Sequence, residues 1–123
     1  MKRIHTEKAP KAIGPYSQAM VSNGLVFVSG QIPIDPETGD IVVADIFLQT
    51  EQVMKNIAAV LEAAGSGFER AVKATCFLAN MEDFDAFNVV YSKYMTSRPA
   101  RSCIAAKHLP KNVLCEVEVI AEV

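Results

Sequence analysis

Residues 113–121 constrain the fold more than any other segment, because their side chains alternate between two faces. One face is apolar and the other is mixed: the first comprises Val113, Cys115, Val117 and Val119, and the second comprises Leu114, Glu116, Glu118 and Ile120. This alternation is typical of a β-strand in a sheet with one buried face. Leu114 and Ile120 on the second face also need shelter, so the sequence predicts a sheet that is covered on both sides.

Two segments have the three- and four-residue spacing of amphipathic helices. In residues 45–64, Asp45 is the predicted N-cap, and Gly65 stands where a left-handed residue often ends a helix. Its predicted buried stripe is Phe47, Thr50, Met54, Ile57, Leu61 and Ala64. In residues 81–95, Asn80 is the predicted N-cap. The predicted stripe of this helix is Phe84, Phe87, Tyr91 and Tyr94.

Segments rich in β-branched and aromatic residues predict strands at 24–29, 72–79, 101–106 and 113–121, with a short strand at 41–43. Residues 32–40 contain two prolines and a Thr-Gly-Asp sequence, which predicts a loop with a tight turn. Pro99 cannot continue the second helix and favours an extended residue before it.

This order of elements predicts an α+β fold in which two helices pack on one face of a mixed sheet of about six strands. The length of 123 residues fits a single domain at 1–123. Two helices cover only one side of such a sheet, so we expect copies of the chain to cover the other side. A homo-oligomer with sites between its subunits follows from this expectation.

Composition and charge argue against several classes of protein. The net charge is -2 and the basic residues are scattered, which disfavours a nucleic-acid partner. The amino terminus lacks the apolar core of a signal peptide, and no apolar run is long enough to span a membrane, so a cytoplasmic protein is expected. Three cysteines without a Cys-x-x-Cys pair are typical of reduced thiols. Two isolated histidines predict no metal site.

Arg101 is the leading candidate for a functional residue. It follows a rigid Pro-Ala pair at the start of a strand, and its guanidinium can hold a carboxylate through two parallel hydrogen bonds. Glu116 lies on the strand face that needs shelter, where it can orient a water, move a proton or balance Arg101. A nearby Arg101 would lower the pKa of Glu116. Cys103 has the same strand parity as Arg101 and is either a packing residue or a contributor through its backbone carbonyl. For each residue, a purely structural role is the alternative.

Four further residues are weaker candidates when each is taken alone. Gly14-Pro15 forms a turn that presents the phenol of Tyr16, and Ser29-Gly30 ends the first strand with a residue that permits close backbone approach. Asn88 is a polar residue within the second helix. The alternative interpretations are a plain turn for residues 14–16, a plain strand end for residues 29–30 and a solvated helix face for Asn88.

Together these segments resemble the RidA/YjgF family of imine deaminases, which is also named for L-PSP endoribonucleases and translation inhibitors. The resemblance covers nearly the whole chain. Its motifs are IGPYSQA at 13–19, VSGQIP at 28–33, AAG at the end of the first helix, DFDAFN at 83–88, PARSC at 99–103 and LPKNVLCEVEVIA at 109–121. Their order and spacing make the resemblance specific.

The resemblance implies a trimer like that of the small chorismate mutases, with sheets inside, helices outside and three sites between subunits. It also implies cofactor-independent hydrolysis of 2-imino or 2-enamino acids, such as 2-iminobutanoate and 2-iminopropanoate, to 2-keto acids and ammonia. Arg101 would bind the substrate carboxylate, and Glu116 would hold the attacking water with the Cys103 carbonyl. The rest of the pocket would be Tyr16, Ser29, Gly30 and Asn88.

The chain departs from the pattern in one place, since many members have several more residues between the second helix and the Pro-Ala-Arg element. Residues 94–98 form a short bridge here, and Arg98 adds a second positive charge. Two other functions stay open at this point. One is a ribonuclease or translation inhibitor, and the other is a non-catalytic trimer that binds keto acids.

Overall fold

The computed structural model describes residues 1–123 and contains one six-stranded sheet and two α-helices. The strands are β1 (Lys2–Ile4), β2 (Ala19–Ser22), β3 (Leu25–Gln31), β4 (Ala71–Leu78), β5 (Ala100–Ala105) and β6 (Cys115–Glu122). The helices are α1 (Ile46–Ala63) and α2 (Phe84–Tyr94). The sheet order is β1-β2-β3-β6-β4-β5, and only the pair β4 and β5 is parallel.

The predicted α+β fold with a mixed sheet is confirmed. Both helices pack on one face of the sheet, over the buried side chains of β4 and β6. Val117 and Val119 of β6 share this core with Val53 and Leu61 of α1. The predicted alternation of the last strand therefore holds, with its apolar face under the helices and its mixed face turned away from them.

The predicted ends of the first helix are also confirmed. The carboxylate of Asp45 accepts a hydrogen bond from the backbone N–H of Leu48 at 3.0 Å. At the other end Gly65 has φ +78°, and Ser66 donates its N–H to the carbonyl of Leu61 at 2.8 Å. This arrangement satisfies carbonyl groups that the last turn would otherwise leave unpaired.

Three local predictions are wrong in detail. Phe47 is 48% exposed, because it lies at the margin of the buried arc, which is centred on Val53 and Val60 instead. Residues 41–43 form no strand and contribute only an isolated bridge between Ile34 and Ile41. The second helix begins as a 3-10 turn at Met81–Asp83, which Asn80 caps through the N–H of Glu82, before α2 starts.

No helix of the chain combines the length and the apolar character that crossing a bilayer requires.

Candidate active site

The Arg101 side chain lies on the helix-covered face of the sheet. In the parallel pairing of β4 and β5, Arg101 is opposite Ala74, which is buried beneath the helices. The guanidinium carbon lies 4.8 Å from the ring centre of Tyr91 and 5.5 Å from that of Phe84. These rings, which the sequence identified only as core residues, form a cation–π seat that holds the charge at the start of β5.

Asn88 completes the seat of Arg101. Its Oδ1 accepts a hydrogen bond from Nη1 of Arg101 at 2.7 Å, and Arg101 makes no other side-chain hydrogen bond within the chain. It also forms no ion pair, since the only ion pair of the chain joins His5 and Glu7. The remaining guanidinium donors are therefore free to bind an anion.

Arg101 opens into a cleft of about 300 Å³ between α2, the bridge and β5, which we call the arginine cleft. Its walls include Asn88, Tyr91, Arg98, Pro99 and Arg101, and no acidic residue lines it. The Tyr91 hydroxyl is buried without a hydrogen-bond partner in the chain. Burial raises the pKa of Tyr91 to about 12, so its phenol stays neutral beside the Arg101 guanidinium.

Cys103 lies two residues along β5, and its side chain faces the helices opposite Cys76. Burial raises the pKa of its thiol, which keeps the sulfur neutral and disfavours a nucleophilic role. The backbone carbonyl of Cys103 is better placed than the thiol to contact a bound water or ligand. Ala106 donates its N–H to Leu78 of β4, and peptide directions alternate along a strand, so the carbonyl of Cys103 points to the free edge of the sheet.

Glu116 lies on the opposite face of the sheet. It is paired with Phe77 on β4, while its neighbours Cys115 and Val117 face the helices. The pKa of Glu116 is raised, first by desolvation and then by the negative charge of Glu118. Within one chain Arg101 does not contribute to this pKa, so the expected lowering by a neighbouring guanidinium is absent from the single chain.

Gly30 on β3 makes room for Glu116. A β-carbon built on Gly30 would lie 2.1 Å from Oε2 of Glu116, so a hydrogen atom at this position is what allows the carboxylate to occupy its place. The Ser29 hydroxyl next to it donates to the carbonyl of Ser17 and fastens the segment that carries Tyr16 to β3.

Tyr16 follows the turn at Gly14, which has φ +130°, and its side chain is 55% exposed. Tyr16 and Gly30 line a second cleft of about 300 Å³, together with Lys11 and Lys111. The two lysines were not identified from the sequence. Lys111 lies within the LPKN turn and has φ +56°. That turn was the only sequence signal that could have predicted a fixed position for this lysine.

The candidate residues thus form two groups that do not meet within one chain. Arg101, Asn88 and Cys103 lie at the β5 edge and on the helix side. Tyr16, Ser29, Gly30 and Glu116 are grouped around β3 and β6, where the carboxylate of Glu116 leaves the sheet on the side away from the helices; we call this group the open-face group.

The pKa of Glu116 offers a direct test of this description. Replacing Glu118 with Gln removes a neighbouring negative charge, so we expect the pKa of Glu116 to fall toward its usual range. Activity that depends on the Glu116 carboxylate would then persist to lower pH. The measurement is a carbon-13 NMR titration of the Glu116 carboxyl group, with Glu122→Gln as the control on the same strand. An unchanged Glu116 titration in Glu118→Gln would contradict the assignment.

Comparisons with known proteins find relatives over nearly the whole chain. The family model described as Endoribonuclease L-PSP matches residues 6–123. The putative regulator AldR of Lactococcus lactis is 56% identical, with 100% of this chain and 98% of AldR covered. The chloroplastic Reactive Intermediate Deaminase A of Arabidopsis thaliana is 46% identical over 96% of this chain and 64% of its own length. The structure of Escherichia coli TdcF with bound serine matches with a TM-score of 0.94 and 39% identity, covering 100% of this chain and 99% of TdcF.

Proposed function

Since the chain belongs to the endoribonuclease L-PSP family, also called the YjgF/RidA family, we propose that it is a deaminase that hydrolyses 2-imino acids to 2-keto acids and ammonia. The proposed substrates are 2-iminobutanoate and 2-iminopropanoate and their enamine tautomers. The observation that carries the proposal is Arg101, which is seated on two aromatic rings, bonded to Asn88 and unpaired with any carboxylate. The relative named Reactive Intermediate Deaminase A supports a deaminase, and the serine-bound structure of TdcF supports an amino-acid-like ligand.

The proposed chemistry needs few groups. Arg101 binds the substrate carboxylate and turns the imine carbon toward a water held by Glu116. The water oxygen bonds to the imine carbon while Glu116 accepts its proton and delivers it to the nitrogen. Glu116 then moves the hydroxyl proton of the resulting carbinolamine to its amino nitrogen, the C–N bond breaks, and ammonia leaves as the oxygen becomes the keto group. A raised pKa makes Glu116 a better proton acceptor near neutral pH than an ordinary glutamate.

We place this reaction between subunits of a homotrimer. Arg101 and Glu116 leave the sheet on opposite faces of one chain, so one substrate can reach both only if they come from different copies. The exposed apolar residues Phe27, Val72 and Ile104 support contact between copies at the sheet. In the assembly, Arg101 of the partner subunit would complete the open-face group.

The test of the activity couples the protein to a threonine dehydratase, which releases 2-iminobutanoate. Semicarbazide traps the imine, so a deaminase raises the yield of free 2-ketobutyrate and lowers the yield of semicarbazone. Equal yields with and without the protein would exclude the proposed activity. Binding of 2-ketobutyrate without any effect on these yields would identify the non-catalytic alternative. RNA cleavage that persists in Arg101→Ala would instead favour the ribonuclease alternative.

The intersubunit site predicts complementation between two inactive variants. Arg101→Ala and Glu116→Gln should each be inactive, but trimers assembled from an equal mixture should regain activity. A site then needs its arginine from one kind of chain and its glutamate from the other, which occurs in about a quarter of sites. The measurement is the deaminase rate after co-refolding. Refolding each variant alone is the control, and a mixture as inactive as its components would refute the shared site.

A further inference from the structure

We infer that Arg98 selects the substrate side chain, and that the preferred substrates carry a second carboxylate, as the 2-imino acids derived from acidic amino acids do. This inference rests on the proposed deaminase function and adds dicarboxylic 2-imino acids as substrates that the enzyme prefers over 2-iminobutanoate and 2-iminopropanoate. It begins from the bridge between α2 and β5, which places Arg98 in the wall of the arginine cleft with Arg101.

The bridge is held in a defined conformation. The Ser97 hydroxyl donates to the carbonyl of Ala71 at 2.7 Å, and the Arg98 N–H donates to the carbonyl of Met95 at 3.2 Å. Pro99 then fixes the backbone at the entry to β5. Arg98 therefore extends from an anchored point beside the cleft, although its own side chain is exposed.

The backbone of Arg98 is unusual for a long side chain. Its φ is +50°, in the left-handed region that glycine and asparagine adopt most readily. A residue with a β-carbon costs about 1 kcal/mol or more there relative to glycine. An arginine at this position is thus not favoured by the local backbone, which indicates a use for its guanidinium.

The charges of the cleft indicate which kind of ligand the Arg98 guanidinium would bind. Arg98 and Arg101 both line it, no acidic residue does, and neither arginine forms an ion pair in the chain. The chain as a whole is slightly acidic, with a net charge of -2, so this unbalanced positive pair is a local feature.

Two guanidinium groups in one cleft match a ligand with two anionic ends. Arg101 is fixed by Asn88 and two aromatic rings, which suits the constant carboxylate of every 2-imino acid. Arg98 has no such side-chain partner and its side chain is exposed, which suits a variable group. A second carboxylate on a four- or five-carbon substrate would reach Arg98 and form a charge-assisted contact. An apolar side chain would gain nothing from it.

The test compares binding of two stable keto acids, 2-ketoglutarate and 2-ketobutyrate, by NMR titration. We expect the wild type to bind the dicarboxylate roughly tenfold more tightly, which is the effect of one partly exposed charge-assisted contact. Arg98→Asn, whose side chain tolerates the left-handed backbone, should reduce this ratio to near one. Arg98→Lys should retain most of it, and Arg70→Asn, at an exposed arginine outside the cleft, should leave it unchanged.

Turnover provides the second readout. An aspartate oxidase supplies 2-iminosuccinate and a threonine dehydratase supplies 2-iminobutanoate, each with semicarbazide present. The ratio of the two kcat/KM values should fall about tenfold in Arg98→Asn. No dicarboxylate preference in the wild type, or an equal loss for both ligands in Arg98→Asn, would overturn the role of Arg98. If dicarboxylate binding depends on Arg98 but neither imine is turned over, Arg98 still selects the ligand. The proposed deaminase function would then be refuted.

Discussion

Arg101→Gln is expected to lower deaminase kcat/KM by about 100-fold or more, because the substrate carboxylate loses a charged two-point contact. Glutamine keeps a polar side chain, but it is shorter and can neither form the fork nor carry the charge. Arg101→Lys keeps the charge and loses the fork, so an intermediate loss is expected. The measurement is the semicarbazide-coupled assay with 2-iminobutanoate.

The effect of Arg101→Gln on stability can be measured separately from its effect on activity. The cation–π seat on Phe84 and Tyr91 contributes about 1 kcal/mol to stability, so Arg101→Gln should unfold at a slightly lower temperature and keep its oligomeric state. Arg70→Gln, at an exposed arginine outside the cleft, is the matched control and should keep full activity. An active, folded Arg101→Gln would exclude Arg101 as the carboxylate-binding residue.

Gly30→Ala should be the second most damaging change, although it adds a single methyl group far from Arg101 in the chain. The new β-carbon would lie 2.1 Å from Oε2 and 3.0 Å from Cδ of Glu116. The end of a flexible side chain moves more cheaply than backbone, so the carboxylate should swing away while the fold persists. Activity should fall by about 100-fold, the usual contribution of a positioned proton acceptor.

Gly67→Ala is the matched control for this prediction. A β-carbon there would also meet a glutamate carboxylate, at 2.6 Å from the oxygens of Glu69, but on the exposed turn before β4. It should leave activity unchanged. Combining Gly30→Ala with Glu116→Gln should cause no loss beyond that of Glu116→Gln alone, since both changes remove the same group. Additive losses would show that Gly30 acts in some other way.

The sequence predicted the elements that depend on local patterns and missed those that depend on partners. The spacing of Met54, Ile57 and Leu61 identified α1, and the alternation around Val117 identified β6, because burial of one face leaves a repeating signal. Strands β1 and β2 contain three and four residues, respectively, too few to show a period, and they form through pairing with each other and with β3. The position of β6 between β3 and β4 likewise follows from long-range pairing that no local pattern records.

The sequence predicted candidate residues for the site, but it did not predict on which face of the sheet each of them lies. Arg101 and Glu116 were identified from chemistry and from the resemblance of their motifs. Their opposite faces were not, because residues 100–105, ARSCIA, lack the alternation that would show which parity faces the helices. The aromatic seat of Arg101 was also missed, since Tyr91 has the spacing of an ordinary core residue.

The opposite placement of Arg101 and Glu116 has a consequence for inheritance and for dosage. If the site is shared between copies, an isolated chain is inert however well it folds, and specific activity should decline on dilution once the trimer dissociates. A chain that carries both Arg101→Ala and Glu116→Gln would disable at least two of the three sites in any trimer that it enters. Such an allele would act dominantly over the wild type, whereas an allele that prevents assembly would be recessive.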